Sequence, residues 1–451
     1  MNTELKEKFG LFTAIALVVG IVIGSGVFFK AEKVLNATGG DLPLGILAWI
    51  IGGLIMIACA YTFAVMATRY QYVNGIVDYA EAAMGSTYGY YVGWFMALIY
   101  YPTLTSVLAW VSARYTCVLF GFDITGGACM TISCFFLIAS FALNTLSPVI
   151  SGKFQVATTI IKLIPLFLMA IIGTIFGLKS GMTTYNFTTV VTPVDTSQGL
   201  FTAVVATAFA YEGWIVATSI NAELKDAKKN LPIALVCGTF IIMAVYILYY
   251  VGLAGTVTNE VMMAGGEAGA KLAFENLFTS VGGTLIFVFV IISCLGTLNG
   301  LMLGCTRGIY SVASRKQGPA PEILGQVDPV TNMPVNSSVV GLLLCGFWLV
   351  FFFGANLADP KWFGFFNFDS SELPIVSIYG LYIPIFVMLM KKEKDLSPFK
   401  RFFMPALALL GCVFMIIAAC FSHGWSVPAY LIVFALFMLV GGFFRRKRET
   451  A

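Results

Sequence analysis

Two short segments place small or polar residues inside long apolar runs of the chain. The first, Gly20-Ile-Val-Ile-Gly24-Ser25-Gly26-Val27, has three glycines within seven residues. The second, "FAYEGW" at 209–214, carries the carboxyl group of Glu212 and a glycine. A carboxyl group in hydrocarbon costs at least about 2.5–3.5 kcal/mol, so Glu212 is expected to face a cavity or a partner. These segments are the candidate polar sites of an otherwise apolar sequence.

The glycine pattern of the first segment is compatible with two interpretations. Small residues four apart allow two helices in a membrane to pack closely, and this explains Gly20 and Gly24 without any binding role. An interruption of the helix at Gly24 would instead expose backbone groups to a ligand. The segment containing Glu212 favours the interruption, because it presents a similar break in a second apolar run.

The composition indicates an all-α membrane protein. Of 451 residues, 59% are hydrophobic and 11% are charged, against about 45–50% and about 25% in soluble domains. Twelve spans of about 20 residues fit this length without a soluble domain. The apolar runs lie at 10–35, 42–68, 87–118, 126–146, 152–178, 197–222, 232–256, 279–313, 336–354, 373–390, 402–422 and 426–444. The segment 258–278 has helical spacing but too few apolar residues to span, and it predicts a surface helix.

The distribution of basic residues predicts the orientation of the chain. With twelve spans both termini share one side, and 19 of the 26 Lys and Arg residues fall on that side, whereas 6 fall on the other. Cytoplasmic loops carry such an excess, so we expect a multi-pass protein of the cell membrane with both termini in the cytoplasm. Lys6 and Lys8 lead directly into the first span without a cleavage site, which indicates that this span is not a removable signal peptide.

Several functions are disfavoured by what the sequence contains. His423 is the single histidine, which excludes His-dependent triads and multi-His metal sites. The ten cysteines show no CxxC spacing, and no GxxxxGK[ST] motif is present, so we expect no metal, cofactor or ATP-driven step. A net charge of +4 is too small to indicate a nucleic-acid partner. Charge in the middle of the spans is confined to Glu212 and Lys162, which disfavours a channel.

The two candidate breaks occupy corresponding places in two blocks of five spans. They lie about 190 residues apart, each in the first span of its block. Because five is odd, the second block is inverted relative to the first, and interrupted helices at matching positions of inverted repeats point to the substrate site of a secondary transporter. The predicted units are a first repeat at 10–178, a second at 197–391, and two additional helices at 402–444.

The exposed backbone at the breaks suits a zwitterion. A half-helix that starts after Gly24 directs free amides and its positive dipole end into the gap, which suits a carboxylate. The carbonyl groups released before each break suit an ammonium group. An amino acid fits these two requirements better than a sugar or a bare ion.

Four motifs in order resemble one family. "GIVIGSGVF" in the first span, "IIKLIP" in the fifth, "FAYEGW" with "NAELKDAKKNLP" at the sixth and "GTLNG" in the eighth are similar to the L-type amino acid transporters of the amino acid-polyamine-organocation superfamily. Bacterial serine/threonine and alanine/serine/cysteine exchangers are the most similar branch. The resemblance implies a five-plus-five inverted repeat with helices one and six broken and two additional helices.

The resemblance also implies roles for particular residues. Backbone amides would hold the substrate carboxylate, and carbonyl groups would hold its ammonium group. Phe209 matches the aromatic residue that closes over substrate from the outer side in this family. Asn299 is a weaker candidate for the pocket wall. The implied substrate-binding positions are Ile21, Gly24, Ser25, Gly26, Val27, Phe209, Ala210, Glu212 and Asn299.

Lys162 in "IIKLIP" matches a lysine that takes the place of a bound sodium ion in sodium-independent relatives. Its ammonium group can bridge carbonyl groups near Gly20 and Ile21, so transport is expected to be independent of sodium. A lysine reaching towards the membrane surface is the structural alternative. Loss of its proton during the cycle would turn an exchanger into a proton symporter.

The implied function is exchange of small neutral L-amino acids by alternating access, with proton-coupled symport as the alternative. The role of Glu212 stays open, because it can pair with a neighbouring donor or touch substrate. Eukaryotic relatives bind a glycoprotein partner through a cysteine after the third span. The corresponding loop here, "LFGFDITGG", has none, and Cys117 and Cys129 lie at span ends. We therefore expect no covalent partner subunit.

Overall fold

The computed structural model describes residues 10–70, 75–215 and 224–445. All regular elements in these ranges are helical. The predicted end of the sixth span near residue 222 lies outside them, as do Lys6, Lys8 and the basic residues 446–448.

The first apolar run forms two helices rather than one. Helix α1 (Leu11–Val22) ends at Val22, and α2 (Ser25–Ala37) begins after Gly24, with Ile23 and Gly24 between them. The remaining helices are α3 (Leu42–Arg69), α4 (Ile76–Met84), α5 (Ser86–Phe120), α6 (Gly127–Leu146), α7 (Pro148–Ser180), α8 (Met182–Thr188), α9 (Thr196–Tyr211), α10 (Ala227–Ala254), α11 (Asn259–Gly265), α12 (Glu267–Ala313), α13 (Pro321–Leu324), α14 (Val335–Leu357), α15 (Leu373–Lys392), α16 (Phe399–His423) and α17 (Ser426–Phe444).

Ten of these helices are long and apolar enough to cross a membrane: α3, α5, α6, α7, α10, α12, α14, α15, α16 and α17. The chain is therefore a multi-pass membrane protein. The two other predicted spans, the first and the sixth, contain the interruptions.

Helix boundaries and irregular turns follow from local sequence. The side chain of Asp41 accepts a hydrogen bond of 2.9 Å from the Leu44 amide and caps α3. In α7 the helical pattern is disturbed at Lys162, because Pro165 has no N–H to donate to the carbonyl group four residues earlier. In α12 a kink at Phe278 and Thr279 separates the surface segment from the span, as the sequence predicts.

The sixth predicted span stops inside the bundle. Helix α9 ends at Tyr211, Glu212 has extended backbone, and Gly213 has a φ of +106°. This conformation favours glycine, because a Cβ would be strained there. The glycine that follows Glu212 therefore allows the backbone conformation at which the helix is interrupted.

The two ends of the bundle can be distinguished by the chain's path. At one end of the bundle, α1 and α5 begin and α17 finishes, and Arg445 contacts Thr87 there. We call this the terminal end. The opposite end, at which α2 and α16 finish and α15 begins, is called the distal end.

Candidate functional site

A cavity lies where the two interruptions meet. Its empty volume is about 360 Å³, including the part that is open to solvent. Five helices contribute to it, namely the end of α1, the start of α2, α5, α9 with the break that follows it, and α12. The lining residues are Val22, Ser25, Gly26, Leu104, Leu108, Phe209, Glu212, Gly213, Thr297 and Leu301.

The first turn of α2 faces this cavity. The amides of Ser25, Gly26 and Val27 are the first of the helix and have no partner within it. The hydroxyl group of Ser25 is buried and has no hydrogen-bond partner among the described residues. This helix terminus therefore presents hydrogen-bond donors to an anionic group.

The glycines of the first segment also serve close packing. A Cβ on Gly26 would lie 2.5 Å from the Cα of Ala210, and one on Gly24 would overlap the side chain of Thr297. Both interpretations of the glycine pattern therefore apply. A large side chain at position 26 would separate α2 from α9 as well as fill the cavity, so it cannot test substrate binding alone.

Tyr246 of α10 connects the two interruptions. Its hydroxyl oxygen lies 3.0 Å from the carbonyl oxygens of Val22 and Ala210, the first at the end of α1 and the second at the end of α9. Sequence patterns do not reveal the role of this residue, because a tyrosine within a long apolar run has no local signal. It holds the carbonyl ends of both broken helices in one place.

Glu212 both pairs with a neighbour and lines the cavity. Tyr100 of α5 donates its hydroxyl hydrogen to Oε1 of Glu212, and the carboxyl group is buried. Tyr100 is the last residue of a π-helical turn, Met96–Tyr100, that ends two residues before Pro102. The two alternatives for Glu212 are thus compatible in this structure.

Lys162 lies at the contact between α7 and α1. Its side chain is fully buried, and Nζ donates a hydrogen bond to the carbonyl oxygen of Gly20. A Cβ on Gly20 would lie 2.7 Å from Thr159 Cγ2, so glycine allows the close approach of these helices. This placement differs from that of a lysine reaching towards the surface, whose ammonium group would be exposed.

Asn299, expected as a weaker candidate for the pocket wall, is not among the residues that line this cavity. Its side chain points to α6 and the first turn of α7, where it contacts Asn144 at 3.0 Å, Ser151 at 3.1 Å and Gln155 at 3.2 Å. Thr297 and Leu301, one helical turn apart, face the cavity instead. The motif located the correct helix but not the correct face.

Phe209 connects the cavity to a group of charges at the distal end. Its ring lines the cavity, packs edge-on against Phe29 at 6.0 Å, and lies 5.0 Å from Nζ of Lys30. The fully buried Lys30 donates a hydrogen bond of 2.5 Å to Oε1 of Glu372. Nε2 of His423 is 3.1 Å from Oε2 of Glu372, although the two atoms are not aligned as a hydrogen bond.

The environment of Glu372 keeps its carboxyl group ionised. Burial opposes the charged form, but Lys30, His423 and Lys33 together hold the pKa of Glu372 well below its usual range. A second pair, between Lys33 and Asp369 at 4.0 Å, lies beside it. Because the pKa is lowered, Glu372 remains charged throughout the physiological pH range.

Ion pairs also lie at the terminal end. Arg315, in the turn after α12, contacts Asp78 of α4 at 2.5 Å and Glu81 at 3.7 Å. Arg69 of α3 pairs with Asp395 and lies 3.7 Å from Glu393, both in the segment after α15. Layers of ion pairs therefore lie on both sides of the cavity.

A helical membrane protein whose interrupted helices meet at a small cavity belongs to the class of secondary transporters. Comparison with known proteins identifies the family. The chain belongs to the amino acid permease family, whose model matches residues 9–444.

Curated relatives cover nearly the whole chain. The serine/threonine exchanger SteT of Bacillus subtilis is 32% identical over 426 residues, covering 92% of each chain. The human large neutral amino acids transporter small subunit 2 is 24% identical, covering 98% of this chain and 80% of the relative. The aspartate-proton symporter of Bacillus subtilis is 24% identical, covering 97% and 83%. The resemblance based on motifs is confirmed, and the chain is an amino acid transporter rather than an enzyme.

Proposed function

We propose that this protein exchanges small neutral L-amino acids across the cell membrane by alternating access, without sodium. The observation that carries the proposal is the meeting of the α2 amino terminus and the α9 carboxyl terminus at one cavity. The amides at Ser25 and Gly26 suit the substrate carboxylate, and the carbonyl ends near Phe209 and Ala210 suit its ammonium group. The apolar walls and modest volume favour a small, uncharged side chain.

The proposal includes the arrangement of the chain in the membrane. Residues 10–178 and 197–391 form the two inverted repeats, 402–444 adds two helices, and both termini are cytoplasmic. The bias of basic residues supports this orientation, in which the distal end is extracellular. The protein works without a covalently attached partner subunit.

Lys162 supports sodium independence. In the proposed mechanism its ammonium group takes the position of a bound cation between α1 and α7, as its contact with the Gly20 carbonyl oxygen suggests. A bound sodium ion then has no place to occupy. Phe209 closes over the substrate from the distal side.

Counterflow in proteoliposomes tests the proposal. Labelled alanine, serine, threonine and cysteine are supplied outside vesicles that contain one unlabelled amino acid or none. We expect uptake only when the vesicles contain amino acid, at equal rates in sodium and potassium buffers. A strict sodium requirement contradicts the role of Lys162, and failure of every neutral amino acid contradicts the substrate class.

Proton-coupled symport is the second candidate. Glu212 carries a carboxyl group into the cavity, and a relative at 24% identity is described as an aspartate-proton symporter. In the same vesicles, uptake driven by a pH gradient without internal amino acid would favour this candidate over exchange.

A further inference from the structure

The charged groups at the distal end form a connected path to the cavity. His423 at the end of α16 lies against Glu372, Glu372 pairs with Lys30 of α2, and Lys30 lies against the Phe209 ring. Lys30 is fully buried, and Glu372 is 6% exposed. The pair joins residues 342 positions apart in the chain, so it ties the half-helix α2 to the start of α15.

Burial makes this pair different from an ordinary surface ion pair. Two exposed charges contribute little when paired, whereas removal of one partner from a buried pair leaves an uncompensated charge. When α2 separates from α15, water or another polar group must therefore solvate both the ammonium group of Lys30 and the carboxylate of Glu372. Access to the cavity from the distal end requires this separation, because Lys30 lies directly against Phe209.

We propose that Lys30, Glu372 and His423 form a latch that holds α2 and Phe209 over the cavity, and that protonation of His423 weakens it. This inference rests on the proposed function, in which the distal end opens to the outside. Lys30 and Glu372 are positioning residues, since they act on substrate through Phe209. His423 adjusts the strength of the latch.

The sign of the proton effect follows from which contacts change. Helices α15 and α16 pack along each other, so the contact of His423 with Glu372 persists when α2 moves away. The interactions of His423 that differ between the closed and open states are those with the cations of α2, Lys30 and Lys33, and like charges repel. A protonated His423 is more stable in the open state, where Lys30 is farther away. Low pH therefore shifts the equilibrium towards the open state.

The other charged groups near His423 do not reverse this effect. Glu372 and Asp369 precede α15, and Lys30 and Lys33 belong to α2. Because Glu372 stays ionised at physiological pH, titration between pH 5 and 8 falls to the histidine, whose unperturbed pKa is about 6.5.

Exchange rates measured at equal pH on both sides of the membrane test the latch. We expect wild-type exchange to rise two-fold or more between pH 8 and pH 5.5, and His423→Gln to show a flat profile. Glu372→Gln is expected to speed distal opening, and Glu372→Asp is expected to restore part of the wild-type behaviour. Glu275→Gln is the matched control, because it removes the 3.7 Å pair with Lys271 in the surface part of α12.

A second readout does not depend on transport. Hydrogen exchange of peptides from α2 (25–37) in the purified protein at pH 7 is expected to be faster in Glu372→Gln than in wild type and unchanged in Glu275→Gln. If a single variant fails to fold, Lys30→Met combined with Glu372→Gln removes both charges and leaves neither unpaired. Wild-type exchange of α2 peptides in that double variant, or an unchanged pH profile in His423→Gln, overturns the latch.

The outcomes separate the latch from the proposed function. Counterflow that fails for the wild-type protein contradicts neutral amino acid exchange, whereas the hydrogen-exchange result still decides whether the latch exists. Normal counterflow with unaltered α2 protection in Glu372→Gln refutes the latch and leaves the proposed function intact.

Discussion

The polar side chains near the cavity differ in whether the protein itself supplies their hydrogen-bond partners. Glu212 accepts a hydrogen bond from Tyr100, and Lys162 donates one to the Gly20 carbonyl oxygen. The buried hydroxyl group of Ser25 has no hydrogen-bond partner among the described residues. A buried polar group without a partner costs free energy unless a ligand satisfies it. Ser25 is therefore the side chain that gains most when a carboxylate enters.

Ser25→Ala is expected to weaken substrate binding without loss of stability. A hydrogen bond to a charged group contributes about 1.5–3 kcal/mol, so the apparent Kd should rise roughly ten-fold or more. Scintillation proximity binding measures the affinity, and a thermal shift measures the stability. Ser133→Ala is the control, since its buried hydroxyl group bonds to the Cys129 carbonyl oxygen away from the cavity. Unaltered affinity in Ser25→Ala would show that the hydroxyl group does not touch substrate.

Helix positions were predictable from sequence, but helix faces were not. Apolar runs bounded by glycine, proline or charge gave the later spans to within a few residues; for example, 426–444 matches α17. The short helices α4 and α8 were not predicted, because they lack a long apolar run. Asn299 was assigned to the cavity, although the register of α12 turns it towards α6 and α7. Tyr246 and Tyr100 act across tertiary contacts, which a single sequence does not reveal.

The contact between α1 and α7 gives a prediction for these elements. Lys162→Met keeps the length of the side chain but leaves the Gly20 carbonyl oxygen unpaired, at a cost of about 1–3 kcal/mol. We expect a lower melting temperature and at least a ten-fold slower exchange, with no recovery in sodium. Lys153→Met is the control, because Lys153 is exposed on the same helix. Equal exchange rates in the two variants would remove Lys162 from the mechanism.

For the molecule as a whole, the important feature is a layer of ion pairs at each end of the bundle. The distal layer joins α2 to the start of α15 through Lys30 and Glu372, and the terminal layer joins the turn after α12 to α4 through Arg315 and Asp78. Alternating access requires that the two layers open in turn. A ligand or a mutation shifts such an equilibrium only by its difference in free energy between the two states.

Arg315→Gln is expected to favour the state that is open at the terminal end. The lost contact with Asp78 contributes about 1–2 kcal/mol to the closed layer, so hydrogen exchange in α4 should quicken about five-fold or more. Protection of α2 at the distal end should be unchanged or stronger. Arg401→Gln is the control, as Arg401 lies at the same end and bonds the Met390 carbonyl oxygen. Faster hydrogen exchange at both ends would indicate general destabilisation rather than a gate.

The position of Lys162 has a consequence for what the transporter can accumulate. A sodium ion that binds on one side and leaves on the other brings the energy of its gradient to each cycle, whereas an ammonium group attached to α7 never leaves the protein. In the proposed mechanism, each amino acid that enters is matched by one that departs. At equilibrium the inside-to-outside concentration ratio becomes the same for every substrate, so a scarce amino acid is concentrated only by spending the gradient of an abundant one.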